Sequence, residues 1–374
     1  METRACEILD VKADCVKQFE VHDSFNDNVL SGVICRQSDH RYGALVIFRV
    51  NDWECEQVIW GTPKLDYPFD RNGNFHWPPI HRVEMWDKLD GTNILAYTYN
   101  YKEATFLTYK TRLTPVLAES TYGSFLSMWI EMLSKHEWIH HVINNNPDYN
   151  LSFELYGSRN PITIQYDTLL DTRILFGVHK EDHAVKPPTG LWFAENAPDC
   201  VSHTADMDLT DLYNAMRESM SGKNTDGLYC EGLVMYASTG GNSWRMFKCK
   251  PEEIERIHWA ASGVIPKRDL WNTALNAFEG EEPSIETFLE LLLEEYPQEL
   301  INRSRIKIGK IFMDATIHMQ TVKSVNEVWQ KAKEEGFDVT HDKAGTLRWM
   351  SQFFPKSQMR KVASIILKQA GMLS

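Results

Sequence analysis

Up to residue 250 the chain is punctuated by short runs of β-branched and aromatic residues bounded by Gly, Pro, Asn or Asp. They are Leu45 to Val50, Val58 to Trp60, Ile94 to Tyr99, Thr105 to Tyr109, Leu151 to Tyr156, Arg173 to Val178, Leu228 to Tyr236 and Trp244 to Cys249. Runs of this length and pattern predict strands. Two stretches with helical periodicity interrupt them, Ser124 to Lys135 and Leu209 to Met220, the second with Asp208 placed as an N-cap. From Pro251 onward the pattern turns helical. A proline in the first turn followed by Glu252, Glu253 and Glu255 suits a helix N-terminus. Further helices are predicted at 268–279, 284–296, 302–321, 323–335, 345–354 and 356–370. The pattern therefore predicts an α+β body, residues 1–262, followed by an all-α C-terminal domain, residues 263–374, joined around Ser262 to Lys267. No internal repeat or low-complexity segment interrupts either part.

Composition narrows the class without naming a function. The 374 residues are 43% apolar and 24% charged, with 20 Gly and 15 Pro, which is the make-up of a folded protein with a sizeable core. Apolar runs such as Ala44 to Phe48 fall far short of the ~20 residues a membrane span requires. The acidic opening segment, Met1 to Asp14, lacks the apolar block of a secretory signal. Seven widely spaced cysteines with no CxxC pair point to reduced thiols in the cytoplasm, and away from a zinc site or a disulfide framework.

Net charge is −13, which by itself argues against nucleic acid as a partner. Its distribution argues otherwise. Residues 1–250 carry 23 basic and 34 acidic side chains, residues 251–300 carry 3 and 12, and residues 301–374 carry 13 and 6. A basic tail thus ends an acidic protein.

Four segments carry candidate chemistry. In Asp87-Lys88-Leu89-Asp90-Gly91-Thr92-Asn93 a lysine precedes a predicted strand, where a neutral amine could act as a nucleophile, and Gly91 admits a close approach by backbone or phosphate. Phe153-Glu154-Leu155-Tyr156 puts Glu154 and Tyr156 on one face of a strand, Phe153 and Leu155 on the other. Glu231 opens an apolar strand, where an acid needs a counter-charge, a metal or a ligand. Lys248 and Lys250 are two apart and so share a face; two like charges there call for an anion between them, a role a triphosphate would fill.

Taken in order, Lys88-Leu-Asp-Gly-Thr-Asn, Phe-Glu154-Leu-Tyr-Gly, Glu231-Gly and Lys248-x-Lys250 resemble motifs I, III, IV and V of the covalent nucleotidyltransferases, the superfamily of ATP-dependent DNA ligases, RNA ligases and mRNA-capping guanylyltransferases. The resemblance covers about residues 40–255. It implies an ATP-grasp-like catalytic domain of antiparallel sheets, the adenylylation domain. Thr92-Asn93 behind the glycine, the basic segment Lys110-Thr111-Arg112, and helices where an OB domain would otherwise follow are similar to RNA ligases.

What the resemblance implies is an ATP-dependent RNA ligase working through lysyl-AMP, with ATP and Mg2+ (or Mn2+) as cofactors. Its substrates would be RNA 5′-phosphate and 3′-hydroxyl ends, in tRNA or a nicked duplex. Lys88 would attack the α-phosphate. Lys248 and Lys250 would neutralise the phosphates and favour the neutral amine of Lys88. Glu154 would accept from the ribose hydroxyls, and Glu231 would hold the metal, with Asp90 as a second metal candidate. Arg112, and less directly Lys110, would meet the RNA 5′-phosphate, and Asn93 that phosphate or a metal-bound water. Phe176 is either the adenine-stacking aromatic or an ordinary core residue. A GTP-dependent capping enzyme and a catalytically silent nucleic-acid-binding homologue are the alternatives. The C-terminal domain is expected to bind RNA through Arg303, Arg305, Lys307, Lys310, Lys356, Arg360, Lys361 and Lys368, or to form a homodimer; otherwise the chain is a monomer. Its Trp349, Phe353, Phe354, Ile365 and Ile366 are expected in the core.

Overall fold

The computed structural model describes the whole chain except residues 71–72, 118–124, 161, 163, 205–207, 222, 224–228, 242, 252–264, 266, 279–283, 297, 371 and 373–374. The helix expected from Pro251, the start of the strand expected at Leu228, and most of the join at 262–267 lie outside the described residues. The chain divides into two compact units; among the described residues the first runs to Pro251 and the second begins at Ile265.

The first unit is built on three antiparallel sheets. Strands β1 (Val16–Asp23), β2 (Asn28–Cys35), β3 (Leu45–Val50) and β4 (Trp53–Ile59) form a meander in sequence order. The helix α1 (Glu2–Leu9) sends Ala5 and Leu9 into a cluster with Val33, Cys35, Ala44 and Val46 on that sheet. Strands β5 (Arg82–Asp87), β6 (Thr92–Tyr101), β7 (Ala104–Lys110), β8 (Tyr149–Tyr156), β9 (Asp171–His179), β10 (Val185–Lys186), β11 (Cys200–Thr204), β12 (Leu233–Gly240) and β13 (Ser243–Cys249) make the other two. Their orders are β10-β9-β8-β6-β7 and β11-β5-β12-β13.

The middle sheet has two apolar faces, as alternation dictates. Tyr97 and Tyr99 of β6 pack on Leu30, Leu45 and Ile47 of the meander. Ile94, Phe153, Leu155 and Ile174 pack on Trp129, Met132, Ile139 and Val142 of helices α2 (Phe125–Lys135) and α3 (Trp138–Asn144). The third sheet buries Val83, Met85, Met235, Ala237 and Phe247 against Leu212 and Tyr213 of α4 (Leu209–Ser219). Asp208 caps α4 as expected, its carboxylate accepting from the amides of Thr210 and Asp211. Between the second and third sheets, Phe176, Val178 and Val185 meet Trp86, Val234, Tyr236 and Met246.

The second unit is helical: α5 (Lys267–Asn276), α6 (Ile285–Glu295), α7 (Gln298–Glu334), α8 (Lys343–Met350) and α9 (Met359–Gln369). The helices expected at 302–321 and 323–335 are one helix of 37 residues. Its first half packs through Ile301, Ile308, Ile311, Ala315 and Met319 on α5 and α6, and its second half through Val322 and Val325 on Met350, Val362 and Ile366. Ile365 and Ile366 are buried as expected and Trp349 and Phe354 pack against that cluster, but Phe353 is 49% exposed.

The α+β body and the helical C-terminal part thus match the pattern-based expectation. α1, α3, β1, β2, β5, β10 and β11 were not expected, and β12 begins at Leu233, two residues beyond Glu231. Among the described residues no helix is long and apolar enough to cross a membrane.

Candidate active site

A cleft with a volume of about 70 Å³ opens at the junction of the second and third sheets. Lys88, Asn93, Arg112, Glu154 and Phe176 all line it. Separate strands deliver them. Lys88 follows β5, and its amide donates to Gly232 O at 2.9 Å, extending the ladder by one rung. Asn93 pairs with Glu154 across β6 and β8, so both face the same side.

Glu231 ties the lysines together. Lys88 Nζ lies 2.6 Å from Glu231 Oε2, and Lys250 Nζ lies 3.1 Å from Glu231 Oε1. Lys250 is fully buried and Lys88 is partly open to the cleft. An anion was expected between Lys248 and Lys250, whereas the bridge that Glu231 makes joins Lys88 and Lys250. Lys248 is buried, with its ammonium 5.7 Å from the Tyr67 ring centroid, a cation–π contact. Its backbone is held on both sides, by Asp66 O at 2.8 Å and by the Tyr213 hydroxyl at 2.8 Å. Gly232 makes the approach of Glu231 possible: its φ is 141°, and a Cβ there would lie 2.4 Å from Cys249 O.

Glu154 Oε1 accepts from the Gly91 amide at 3.0 Å. Burial pushes its carboxyl up to about 7, against the pull of Lys88 and Arg112. A folded carboxyl titrating above its unfolded value contributes stability that is complete at low pH and is lost as pH rises through about 7. Glu154→Gln keeps an acceptor for Gly91 without the charge. Its unfolding free energy without nucleotide, from urea denaturation, is expected to gain on the wild type between about pH 5 and pH 8, by up to about 3 kcal/mol. A gain that is flat with pH would contradict this.

Gly91 admits backbone, since a Cβ there would lie 2.2 Å from Leu155 O. Gly91→Ala must push the Lys88 loop away from β8. A loss of about 1–3 kcal/mol is expected in urea denaturation.

Other expected residues turn out to brace the site. Asp90 accepts the Ile164 amide at 2.6 Å, and its own amide donates to the Tyr166 hydroxyl at 2.8 Å. Asn93 accepts from Thr62 Oγ1 and donates to Ser152 Oγ, both at 2.7 Å, while lining the cleft. Lys110 is fully buried and donates to the backbone oxygens of Thr111 (2.7 Å) and Arg112 (3.1 Å), holding up the loop that presents Arg112. It therefore points into the protein, away from the position expected for a phosphate contact.

Phe176 belongs to both of the environments weighed for it. An irregularity in the β8–β9 register pairs Phe153 with Ile174 but Ser152 with Phe176. The extra residue, Leu175, turns Phe176 to the cleft while Ile174 stays in the helix-facing core. The aromatic wall also contains Trp86 and Tyr236, which were not anticipated. Trp86 was legible by counting back two from Lys88, once β5 is known to be a strand. Buried Glu84 accepts from Trp86 Nε1 at 3.1 Å and fixes the indole. Tyr236 donates to Leu175 O at 3.1 Å and so supports the bulge.

A divalent cation has no ready-made cage: among the described residues no group of three His, Cys, Asp or Glu side chains is arranged to hold one. The donor set fits a largely hydrated ion carried by ligand phosphates and one carboxylate, Glu231.

No family model and no curated protein matches this chain. Solved structures do. An archaeal ATP-dependent RNA ligase is similar over 100% of this chain and 96% of its own, at 12% identity and a TM-score of 0.48. A protein of Aquifex aeolicus assigned as an ATP-dependent DNA ligase is similar over 90% and 81%, at 13% identity and a TM-score of 0.43. A Naegleria gruberi RNA ligase variant with AMP and manganese is similar over 52% and 56%, at 12% identity and a TM-score of 0.35. These three are named as an ATP-dependent RNA ligase, an ATP-dependent DNA ligase and an RNA ligase.

Proposed function

We propose that this chain is an ATP-dependent RNA ligase that joins 5′-phosphate to 3′-hydroxyl ends through a lysyl-AMP at Lys88. The observation that carries the reading is one arrangement: a lysine amine at an aromatic-walled cleft, 2.6 Å from a carboxylate that also meets a fully buried second lysine.

In the first step the Lys88 nitrogen attacks the α-phosphorus of ATP and the bond to the pyrophosphate oxygen breaks. The amine proton has Glu231 Oε2 as an acceptor at 2.6 Å. Trp86, Phe176 and Tyr236 offer the adenine an apolar slot, and Glu154 is the acceptor for the ribose hydroxyls. Lys248 and Lys250 supply fixed positive charge to the phosphates. Bound Mg2+ or Mn2+ at Glu231 would neutralise charge on the leaving pyrophosphate. In the second step an oxygen of the RNA 5′-phosphate, met by Arg112, attacks the same phosphorus and Lys88 leaves, taking back a proton. In the third the 3′-hydroxyl oxygen attacks the 5′-phosphorus and AMP departs. Both later steps depend on positioning and charge neutralisation.

The helical unit is assigned to RNA binding or to pairing of two copies. Arg303, Arg305, Lys310, Lys356, Arg360 and Lys361 are exposed and support the first, whereas Lys307 donates to Ile265 O at 2.7 Å. tRNA and nicked duplexes are the substrates to compare, in a cytoplasmic setting. The test is incubation with α-labelled ATP and Mg2+ or Mn2+. A covalent adduct that maps to Lys88 is expected. No adduct, or one from GTP alone, overturns the reading.

A further inference from the structure

The loop that runs from β10 toward the cleft carries two adjacent exposed aromatic side chains, Trp192 at 71% and Phe193 at 49% exposure. Large aromatics are costly to leave in water, and these are held out by construction. Asn146, itself buried, clamps the Trp192 backbone twice: its Nδ2 donates to Trp192 O at 2.9 Å, and its Oδ1 accepts the Trp192 amide at 3.0 Å. Phe193 is held at φ 60°, a conformation bulky residues rarely adopt. On the N-terminal side Leu191 is anchored in the core beneath α2 and α3. On the other side Ala194 and Ala197 pack on that core and Asn196 O accepts the Ile174 amide at 3.2 Å. The loop is therefore fixed at several points while its two rings stay in solvent.

Its continuation leads into the cleft. Five residues after Phe193 comes Pro198, in the wall of the nucleotide cleft. Five extended residues reach at most about 18 Å, so the rings stand within a few nucleotides of the cleft. The loop contains Glu195 and Asp199 and no Lys or Arg, so it offers stacking rather than phosphate neutralisation.

We infer that Trp192 and Phe193 form a stacking platform for unpaired bases of the polynucleotide strand whose end enters the cleft. This rests on the polynucleotide-ligase reading above. Every base has a π-face, so such a platform binds single strands with little sequence preference. It also separates the work of the site: charge at Arg112, Lys248 and Lys250 for the reacting phosphates, and aromatic surface for the strand behind them.

The test is direct binding of a short, fluorescently labelled, 5′-phosphorylated single-stranded oligoribonucleotide to the full chain. Trp192→Ala and Phe193→Ala are expected to weaken binding roughly fivefold or more each. Trp192→Phe, which keeps a ring, should recover most of the loss, and a far-UV melt checks that each variant folds. The ratio between wild type and Trp192→Ala should stay constant as salt rises, because stacking releases no counterions. Unchanged affinity in both alanine variants overturns the platform and leaves the loop as a protein-contact surface. A ratio that collapses with salt overturns it too. Wild-type labelling from ATP, run alongside, separates the two readings. Its absence fails the ligase assignment, whereas labelling with ring-independent RNA binding fails only the platform.

Discussion

Lys88→Ala and Lys88→Arg should both leave a folded protein that takes no label from ATP. On the ligase reading Lys88 is the nucleophile, which no neighbour can replace: Lys248 and Lys250 are buried, and Lys250 is already engaged with Glu231. The arginine variant keeps the positive charge beside Glu231, yet a guanidinium remains protonated and cannot attack phosphorus. Loss of adduct formation on the order of 10⁴-fold or more is expected, the scale seen when a covalent nucleophile is deleted. Stability should change little, since Lys88 is partly exposed and Glu231 keeps Lys250. Radiolabel on a denaturing gel and a thermal melt on the same preparations separate chemistry from folding. Equal label on wild type and Lys88→Ala would place the nucleophile elsewhere.

The largest effect on stability should come from Glu231→Ala. The carboxylate is 5% exposed and partners a lysine with no exposure at all. Taking it away removes a counter-charge from a deeply buried ammonium, at a cost of about 3–5 kcal/mol. Glu231→Gln keeps the shape and an acceptor oxygen, and should cost less. The loss should persist in high salt, because burial shields the pair from screening. Urea denaturation at low and high salt measures both. A loss below about 1 kcal/mol would mean that other contacts of Lys250 carry its charge.

What the sequence revealed of this site follows from how local each signal is. The motif order pointed to Lys88, Glu154, Glu231, Lys248 and Lys250, and period-two alternation correctly placed Glu154 opposite Phe153 and Leu155. Alternation failed where the backbone departs from it. At Leu175 one extra residue reverses the face of Phe176, and no pattern of side chains announces a bulge. Lys110 was expected to meet a phosphate but ends β7 fully buried, and its two backbone acceptors are set by the fold, where Gly43 and Arg112 come together. β5 was overlooked because Arg82-Val-Glu-Met-Trp-Asp lacks an apolar run. Its polar face, Glu84 and Trp86, is buried in the cleft region by tertiary partners.

The division expected inside α7, at Val322, has a counterpart that is not a break. The helix runs on, but at that point its buried face changes partners, from the α5–α6 cluster to the α8–α9 cluster. Backbone hydrogen bonds are continuous where the packing is not. The helical unit therefore holds two separate hydrophobic cores on one shared axle. The terminal block can melt by fraying the last turns of α7 while the first keeps its own core, so a lesion near Val362 or Ile366 is confined to one end of the unit.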